Sequence, residues 1–375
     1  MQEFYKRIIL ARKINIPIHF CSIETTVNKQ RIEYFDVLKG IAIFLVVMGH
    51  VITYGVCQID KSVVFRLIGS VHMPLFFFIS GYFTVKSREG QFALPSLRKR
   101  FMQLMLPMLV VTALWIVYYP HSGLHKHLTC TFAGLYTNLH KNGYWFLWVL
   151  FAIISLYGIS AKVSNMLRHY GTVWKYAPFA LTLILLGIGD ALLPKPINDT
   201  LSLMFVFKYS FVFMFGGIAR ALGERFTGFA QSDAGYTASM VVTALLLIFV
   251  MYPEWLPFKR TALMLNSAQV VLHCSLATFA VGLCKSVMER HQDGSRGVRL
   301  WSLLGRRSLQ IYLFHYFFLF PLGWIRPAML SMGLDLVPVA LTAALCAAVI
   351  TACCLAVDAV MRRSRLLSLL CGEQN

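Results

Sequence analysis

The residues best suited to chemistry stand in segments apolar enough to sit in lipid. Lys39 and His50 both lie in the stretch DVLKGIAIFLVVMGHVI, residues 36–52. Their separation of eleven residues is within about 20° of whole helical turns, so both side chains share one helix face, roughly 16 Å apart. Imidazole titrates near neutral pH and can accept a proton from a hydroxyl group. This shared helix face predicts a reaction whose substrate enters from one side of the membrane and reacts at a buried histidine.

Each of these residues also has a plainer interpretation. Lys39 could be a boundary lysine whose amine reaches the interface, and His50 could be a histidine hydrogen-bonded between helices. Three more histidines fall inside apolar segments, at His72, His273 and His315. None of the sixteen carboxylates is predicted deep in such a segment, which argues against an ion-coupled transporter. The buried chemistry is therefore expected to depend on histidine.

The segments that position these residues are predicted to be transmembrane helices. The chain has 375 residues, of which 58% are hydrophobic and 14% charged, with a mean hydropathy of +0.65. A helix needs about 20 apolar residues to cross a bilayer. Ten segments meet this length, and the expected fold is an all-α membrane protein with a polytopic bundle of about ten transmembrane helices. The segments are 36–57, 63–86, 98–119, 143–163, 174–193, 201–221, 236–253, 261–287, 302–323 and 333–360.

The formal net charge of +19 has a topological explanation. When the predicted loops alternate between two sides, 25 of the 35 Lys and Arg residues fall on one side and seven on the other. Lys39, Arg66 and Lys208 lie within the spans. The positive-inside rule then predicts that both termini are cytoplasmic. Nucleic-acid binding is not expected, because the cations are spread by topology.

One membrane domain, 36–360, is predicted between a basic cytoplasmic N-terminal segment, 1–35, and a cytoplasmic tail, 361–375. The nine cysteines contain no CxxC motif, and a disulfide between Cys57 and Cys130 is one open alternative. The outer loop 120–143 carries three histidines close to Cys130, but no Asp or Glu lies near them, so no metal site is expected. These histidines are His121, His125 and His127.

Several blocks, taken in order, resemble the acyltransferase-3 family of bacterial inner-membrane acyltransferases. The resemblance runs from about residue 31 to 357, and the sugar O-acetylase branch is the most similar. It begins with a basic residue, ten intervening residues and a histidine, where this chain has Lys39 in a place often held by Arg. The other blocks are HMPLFFFISGYF at 72–83, the basic LRKR cluster at 97–100, WFL at 145–147, FMFGGIAR at 213–220 and GRRSLQIYLFH at 305–315.

The resemblance implies transfer of an acyl group, by default acetyl from cytoplasmic acetyl-CoA, to a hydroxyl of an envelope glycan or lipid-linked sugar. His50 would be the general base or a transient acyl carrier, and Lys39 would contact the donor. His72 and His315 would line the site or orient His50. The CoA phosphates would be held by Arg98 or Arg100, although the sequence does not decide between these two and Lys99.

Three aromatic residues could supply hydrogen-bond donors or surfaces that stack on sugars, although membrane-interface aromatics are common. They are Tyr82, Trp145 and Tyr312. Many family members carry a fused extracytoplasmic hydrolase-like domain, and the chain ends at Asn375 without one. A separate extracytoplasmic transferase partner is therefore an open alternative.

Two other classes of function fit a ten-helix bundle. One is a transporter or flippase for a lipid-linked glycan, which would have no reason to bind acetyl-CoA. The other is a structural partner of a polysaccharide synthase, which would tolerate His50→Ala.

Overall fold

The computed structural model describes residues 32–57, 63–88, 90–118, 143–252, 255, 260–290, 295–325, 337–364, 367 and 372. The described residues from Glu33 onward belong to one compact unit. Residues 1–31, most of the 120–143 loop and Cys130 of the proposed Cys57–Cys130 pairing lie outside the described residues, and the predicted domain boundaries stay predictions. We call the two faces of the bundle inner and outer, after the predicted orientation.

The chain is built almost entirely from helices. The first five are α1 (Glu33–His50, continued by a π-helical turn Val51–Cys57), α2 (Val63–Thr84), α3 (Leu97–Arg100, continued through Phe101–Met105 and Leu106–Tyr118), α4 (Trp145–Leu167) and α5 (Thr172–Leu192). The next five are α6 (Lys195–Leu201), α7 (Leu203–Leu222), α8 (Glu224–Gln231), α9 (Asp233–Met251) and α10 (Ala262–Arg290). The last three are α11 (Arg296–Arg306), α12 (Ser308–Phe314) and α13 (Val337–Met361). A two-stranded antiparallel hairpin, β1 (Ser87–Arg88) with β2 (Gln91–Phe92), joins α2 to α3.

Nine helices in the described part of the chain are long and apolar enough to cross a membrane: α1, α2, α3, α4, α5, α7, α9, α10 and α13. They confirm the predicted all-α polytopic membrane protein. Helix α1 is central, because 72% of its most apolar window is buried inside the protein, compared with 11% for α5. The first predicted span therefore supplies the core, and α5 is a peripheral, lipid-facing helix.

The predicted continuous span 302–323 is wrong. Helix α11 ends at Arg306, α12 ends at Phe314, a 3₁₀ turn covers His315–Phe318, and another covers Gly323–Ile325. Pro321 explains part of this break, because proline has no N–H and disfavours a helical conformation in the residue before it. The sequence pattern gave the apolar length of the segment but not its interruptions.

The broken segment follows α1 toward the outer face once α11 has ended. The His315 ring lies beside the His50 ring, with centroids 5.0 Å apart. Further along, the Leu322 backbone N–H donates to the Gly55 carbonyl, 2.7 Å away. Because these contacts advance in the same direction along both segments, the segment from α12 to Leu322 acts as a tenth crossing.

Two glycine contacts bring helices unusually close, as small residues do in membranes. In the first, Gly40 of α1 lies against α11, and a Cβ on Gly305 would be 1.7 Å from the Asp36 carbonyl oxygen. In the second, Gly81 of α2 and Gly216 of α7 lie against each other's helices, where a Cβ would be 1.8 Å and 2.0 Å from backbone oxygens. These contacts fix α1 to α11 and α2 to α7.

Candidate active site

The candidate site combines a cavity that reaches the inner ends of α1, α2 and α3 with a cluster of histidines beyond its deep end. The cavity has a volume of about 310 Å³. Along α2 it extends from Thr84 to Met73, eleven residues or roughly 16 Å of helix. Lys39 and Arg100 line it together with the hydroxyl groups of Ser80, Thr84 and Ser308, and the rest of the wall is mostly apolar.

The structure brings the predicted cations of the inner end to different places. Lys39 lies in the cavity wall, and its Nζ is 2.7 Å from Asp36 Oδ1. Arg100 also lines the cavity, with its Nη1 3.5 Å from Gln103 Oε1. Arg98 is exposed and is not a lining residue. Of the two arginines that the sequence left undecided, Arg100 is the one placed to contact a ligand in the cavity.

His50 lies two helical turns beyond Ile43, which is the deepest α1 residue in the cavity wall. Its ring centroid is 5.0 Å from that of His315, with the two planes 27° apart. His50 is half-buried, whereas His315 is fully buried. The predicted histidines from α1 and from the residue after α12 therefore form one cluster, in which His50 is the more accessible.

The hydrogen bonds of His315 define its tautomer. Its Nδ1 lies 2.8 Å from the Tyr312 carbonyl oxygen and 3.1 Å from the Ile311 carbonyl oxygen. Because a carbonyl can only accept, Nδ1 carries the proton. Nε2 then carries a lone pair, and this buried atom has no hydrogen-bond partner among the described residues. His315 is held as a neutral ring with one unused acceptor.

His72 has the same kind of anchor, since its Nδ1 donates to the Ile68 carbonyl one turn earlier in α2. It is half-buried and precedes Met73, which lines the deep end of the cavity. His72 therefore lies next to the deep end of the cavity, and its role in lining the site or orienting His50 stays a prediction.

Two tyrosines that sequence reasoning missed complete the cluster. The Tyr316 hydroxyl lies 3.1 Å from His50 Nε2 and 3.3 Å from His50 Nδ1. A Cβ on Gly143 would lie 2.2 Å from that hydroxyl, so this glycine makes room for Tyr316. The Tyr144 hydroxyl donates to the Leu313 carbonyl, 2.9 Å away. Nothing in the sequence around these two tyrosines distinguishes them from the many aromatic residues found at membrane interfaces.

Tyr312 connects the cavity to the histidines. It lines the cavity, its ring centroid is 5.9 Å from that of His315, and its hydroxyl donates to the Gly143 carbonyl at 2.9 Å. Trp145 and Tyr82 lie elsewhere, and neither lines the cavity. Of the three aromatic residues suggested by the sequence, Tyr312 is the one at the candidate site.

No group of three or more potential metal ligands occurs among the described residues. The outer-loop histidines His121, His125 and His127, with Cys130, lie outside that part of the chain. The expectation that no metal is bound stays a prediction.

Comparisons with known proteins address the family directly. Residues 32–358 match a family model described as "Acyltransferase domain". Nodulation protein NolL of Mesorhizobium japonicum (strain LMG 29417 / CECT 9101 / MAFF 303099) is 30% identical over 184 residues, which is 48% of this chain and 45% of that protein. Nodulation protein NolL of Sinorhizobium fredii (strain NBRC 101917 / NGR234) is 29% identical over 166 residues, which is 43% of each chain. The matches thus span somewhat less than half the length of these relatives. No solved structure matches the chain.

Proposed function

Because the chain belongs to the acyltransferase family whose domain it matches over residues 32–358, we propose that it is a membrane O-acyltransferase using cytoplasmic acyl-CoA. The acyl group is acetyl by default, and the acceptor is a hydroxyl of an envelope glycan or lipid-linked sugar. The protein acts in the bacterial inner membrane. The observation that carries the proposal is the cavity that leads from Lys39 and Arg100 toward the histidine cluster.

The cavity has the chemistry that an acyl-CoA would require. Lys39 and Arg100 are at its inner end, where cations would bind the phosphates. The hydroxyl groups of Ser80, Thr84 and Ser308 offer hydrogen bonds to the amides of the thiol arm, and the apolar wall excludes water. A donor bound in this orientation would place its thioester at the deep end, beside Tyr312.

His50 is the proposed general base. It would take the proton of the acceptor hydroxyl as the oxygen attacks the thioester carbonyl, and the C–S bond would then break. The released thiolate would take up that proton, which leaves His50 neutral for the next turnover. A hydroxyl acceptor can reach the half-buried His50 more readily than the fully buried His315. His315 is therefore assigned a role in orienting His50.

The test uses membranes that contain the full chain, labelled acetyl-CoA and an envelope-glycan fraction. Base-labile ester is measured for the native protein, for His50→Ala and for His169→Ala. His169 is an exposed histidine and serves as the matched control. We expect His50→Ala to lower ester formation by at least about 100-fold, while His169→Ala has no effect.

Equal ester formation by native protein and His50→Ala, at matched amounts in the membrane, would contradict the assignment of His50. If the native chain neither binds acetyl-CoA nor forms ester, the proposed reaction is wrong and transport of a lipid-linked glycan becomes the better explanation.

A further inference from the structure

A second polar group, partly buried, lies in the outer half of the bundle, away from the cavity residues. Lys208 is on α7, five residues or roughly 8 Å of helix from the outer end at Leu203. Its Nζ is 2.6 Å from Gln269 Oε1 of α10. His273, one turn further along α10, is 3% exposed. We call Lys208, Gln269 and His273 the lysine cluster.

Among the described residues, no carboxylate neutralises the charge of this cluster. Within the described ranges, no carboxylate forms an ion pair with Lys208. The amide oxygen of Gln269 and the Tyr209 ring, whose centroid is 5.6 Å from Nζ, stabilise the cation only in part. A cation within a membrane costs several kcal/mol unless it is paired, so such residues mark functional sites by default.

His273 supplies an independent observation that points to a ligand-binding site. Its Nδ1 is buried and has no hydrogen-bond partner in the part of the chain that the structure describes. Its ring stacks on Tyr209, with centroids 6.0 Å apart and planes 17° apart. An unsatisfied buried polar atom is costly, and here it lies beside an unpaired cation.

An aromatic surface adjoins the lysine cluster. The Trp145 ring centroid is 4.7 Å from that of Phe205 and 6.0 Å from that of Tyr209. Trp145 and Phe205 are half-buried and stand near the outer ends of α4 and α7, whereas Tyr209 is buried. Aromatic faces of this kind can stack on the apolar face of a sugar ring while a nearby cation binds a charged substituent.

We propose that the lysine cluster and the half-buried rings of Trp145 and Phe205 bind an anionic sugar from the outer side, with Lys208 contacting its carboxylate or phosphate group. That this sugar is the acceptor rests on the proposed function; that the site binds an anion rests on Lys208 and His273 alone. None of these residues lines the donor cavity, so the two sites are separate.

The experiment measures binding by titration calorimetry with the full chain in nanodiscs. The probes are D-glucuronate, glucose 1-phosphate and D-glucose, which distinguish a carboxylate, a phosphate and an uncharged sugar. We expect one of the two anionic sugars to bind at least about tenfold more tightly than glucose. Lys208→Met should abolish that preference, and Lys195→Met, which changes an exposed lysine on the same face, should leave it intact.

Two further variants keep the test decisive if Lys208→Met does not fold. Lys208→Arg retains the charge and should retain the preference, and His273→Phe retains the ring stacking and should weaken anionic binding severalfold. Equal binding of glucose and both anionic sugars would overturn the proposal. So would an anionic preference that survives Lys208→Met or is unchanged in His273→Phe.

Because binding is measured without acetyl-CoA, the result is distinct from the test of His50. If no anionic sugar binds, the protein could still transfer an acyl group to an uncharged glycan. If no acyl transfer is found, an anion site at Lys208 could still be present.

Discussion

The histidine cluster and the lysine cluster are both partly buried polar regions, but they differ in charge. His50, His315 and Tyr316 carry no formal charge in their ordinary neutral forms and contact one another directly. Lys208 carries a charge, and within the described part of the chain no carboxylate pairs with it. Burying neutral groups costs less than burying an unpaired charge, so the lysine cluster favours an anionic ligand. The difference separates a site for proton transfer from a site for binding charge.

The two regions are also held by different helix contacts. The histidine cluster depends on α1 and the α11–α12 segment, which meet at Gly40 and Gly305. Lys208 lies on α7, which meets α2 at Gly81 and Gly216. The two clusters should therefore respond to different substitutions, and this independence can be tested.

The largest effect is expected from Gly305→Ala. Its new Cβ would lie 1.7 Å from the Asp36 carbonyl oxygen, so α1 and α11 would have to move apart. Overpacking of this kind costs about 1–3 kcal/mol or more. We expect a lower melting temperature in detergent and at least about a 100-fold loss of acyl transfer, since His50 and His315 would no longer be aligned. Preference for an anionic sugar should persist.

The control for this variant is Gly297→Ala in the same helix, where a Cβ would meet no atom within 4 Å. It should match the native protein in melting temperature and transfer. If Gly305→Ala abolished sugar binding as well as transfer, the two regions would be one unit rather than two.

His315→Phe should have the next largest effect. Phenylalanine can keep the ring contact with His50, now 5.0 Å between centroids, but it removes the Nε2 lone pair and the Nδ1 anchor. We expect kcat to fall about 100-fold with little change in either KM, measured with labelled acetyl-CoA. An unchanged kcat would reduce His315 to a packing residue and leave His50 to act without it.

A smaller effect is expected from Tyr316→Phe, which removes a hydroxyl 3.1 Å from His50 Nε2. Loss of one hydrogen bond to the base predicts about a tenfold fall in kcat, with normal protein yield. Tyr170→Phe, at an exposed position, is the matched control. If kcat is retained and yield falls instead, Tyr316 stabilises the bundle and does not orient His50.

The smallest effect is expected from Arg100→Gln, which tests whether the donor cavity and Lys208 bind different ligands. Arg100 lines the cavity and Arg98 does not, so Arg100→Gln should raise KM for acetyl-CoA by about five- to tenfold, while Arg98→Gln leaves it near the native value. Neither should change binding of anionic sugars. Equal effects of the two substitutions would mean that the phosphates are bound by the exposed LRKR cluster as a whole.

Much of the fold could be predicted from the sequence, because apolar length and loop charge reflect the bilayer directly. Nine of the ten predicted segments appear as continuous helices. The segment 302–323 failed since apolar length alone cannot distinguish a continuous helix from helical pieces held against another helix. Its breaks depend on Pro321 and on the partner α1, and the second of these is a tertiary feature.

The candidate site was predictable in part. The histidines stood out because an ionisable residue in an apolar segment is rare, and helical periodicity related His50 to Lys39. Tyr316 gave no such signal, because tyrosine is common at membrane interfaces. Tyr316 can reach His50 because Gly143 has no side chain and leaves space for the tyrosine ring. Gly143 and Tyr316 are 173 positions apart, and no sequence pattern predicts a contact over that separation.

The close contact of α1 with α11 has a consequence for how the protein is made. Gly40 and Gly305 are 265 residues apart, so at a synthesis rate of 5–20 residues per second α1 waits roughly 13–53 s before its partner emerges from the ribosome. During that interval the groove of α1 must be covered by lipid, by other helices or by the insertion machinery. Assembly of the histidine cluster is therefore a late event, and His50 has no neighbour from α12 until most of the chain is already in the membrane.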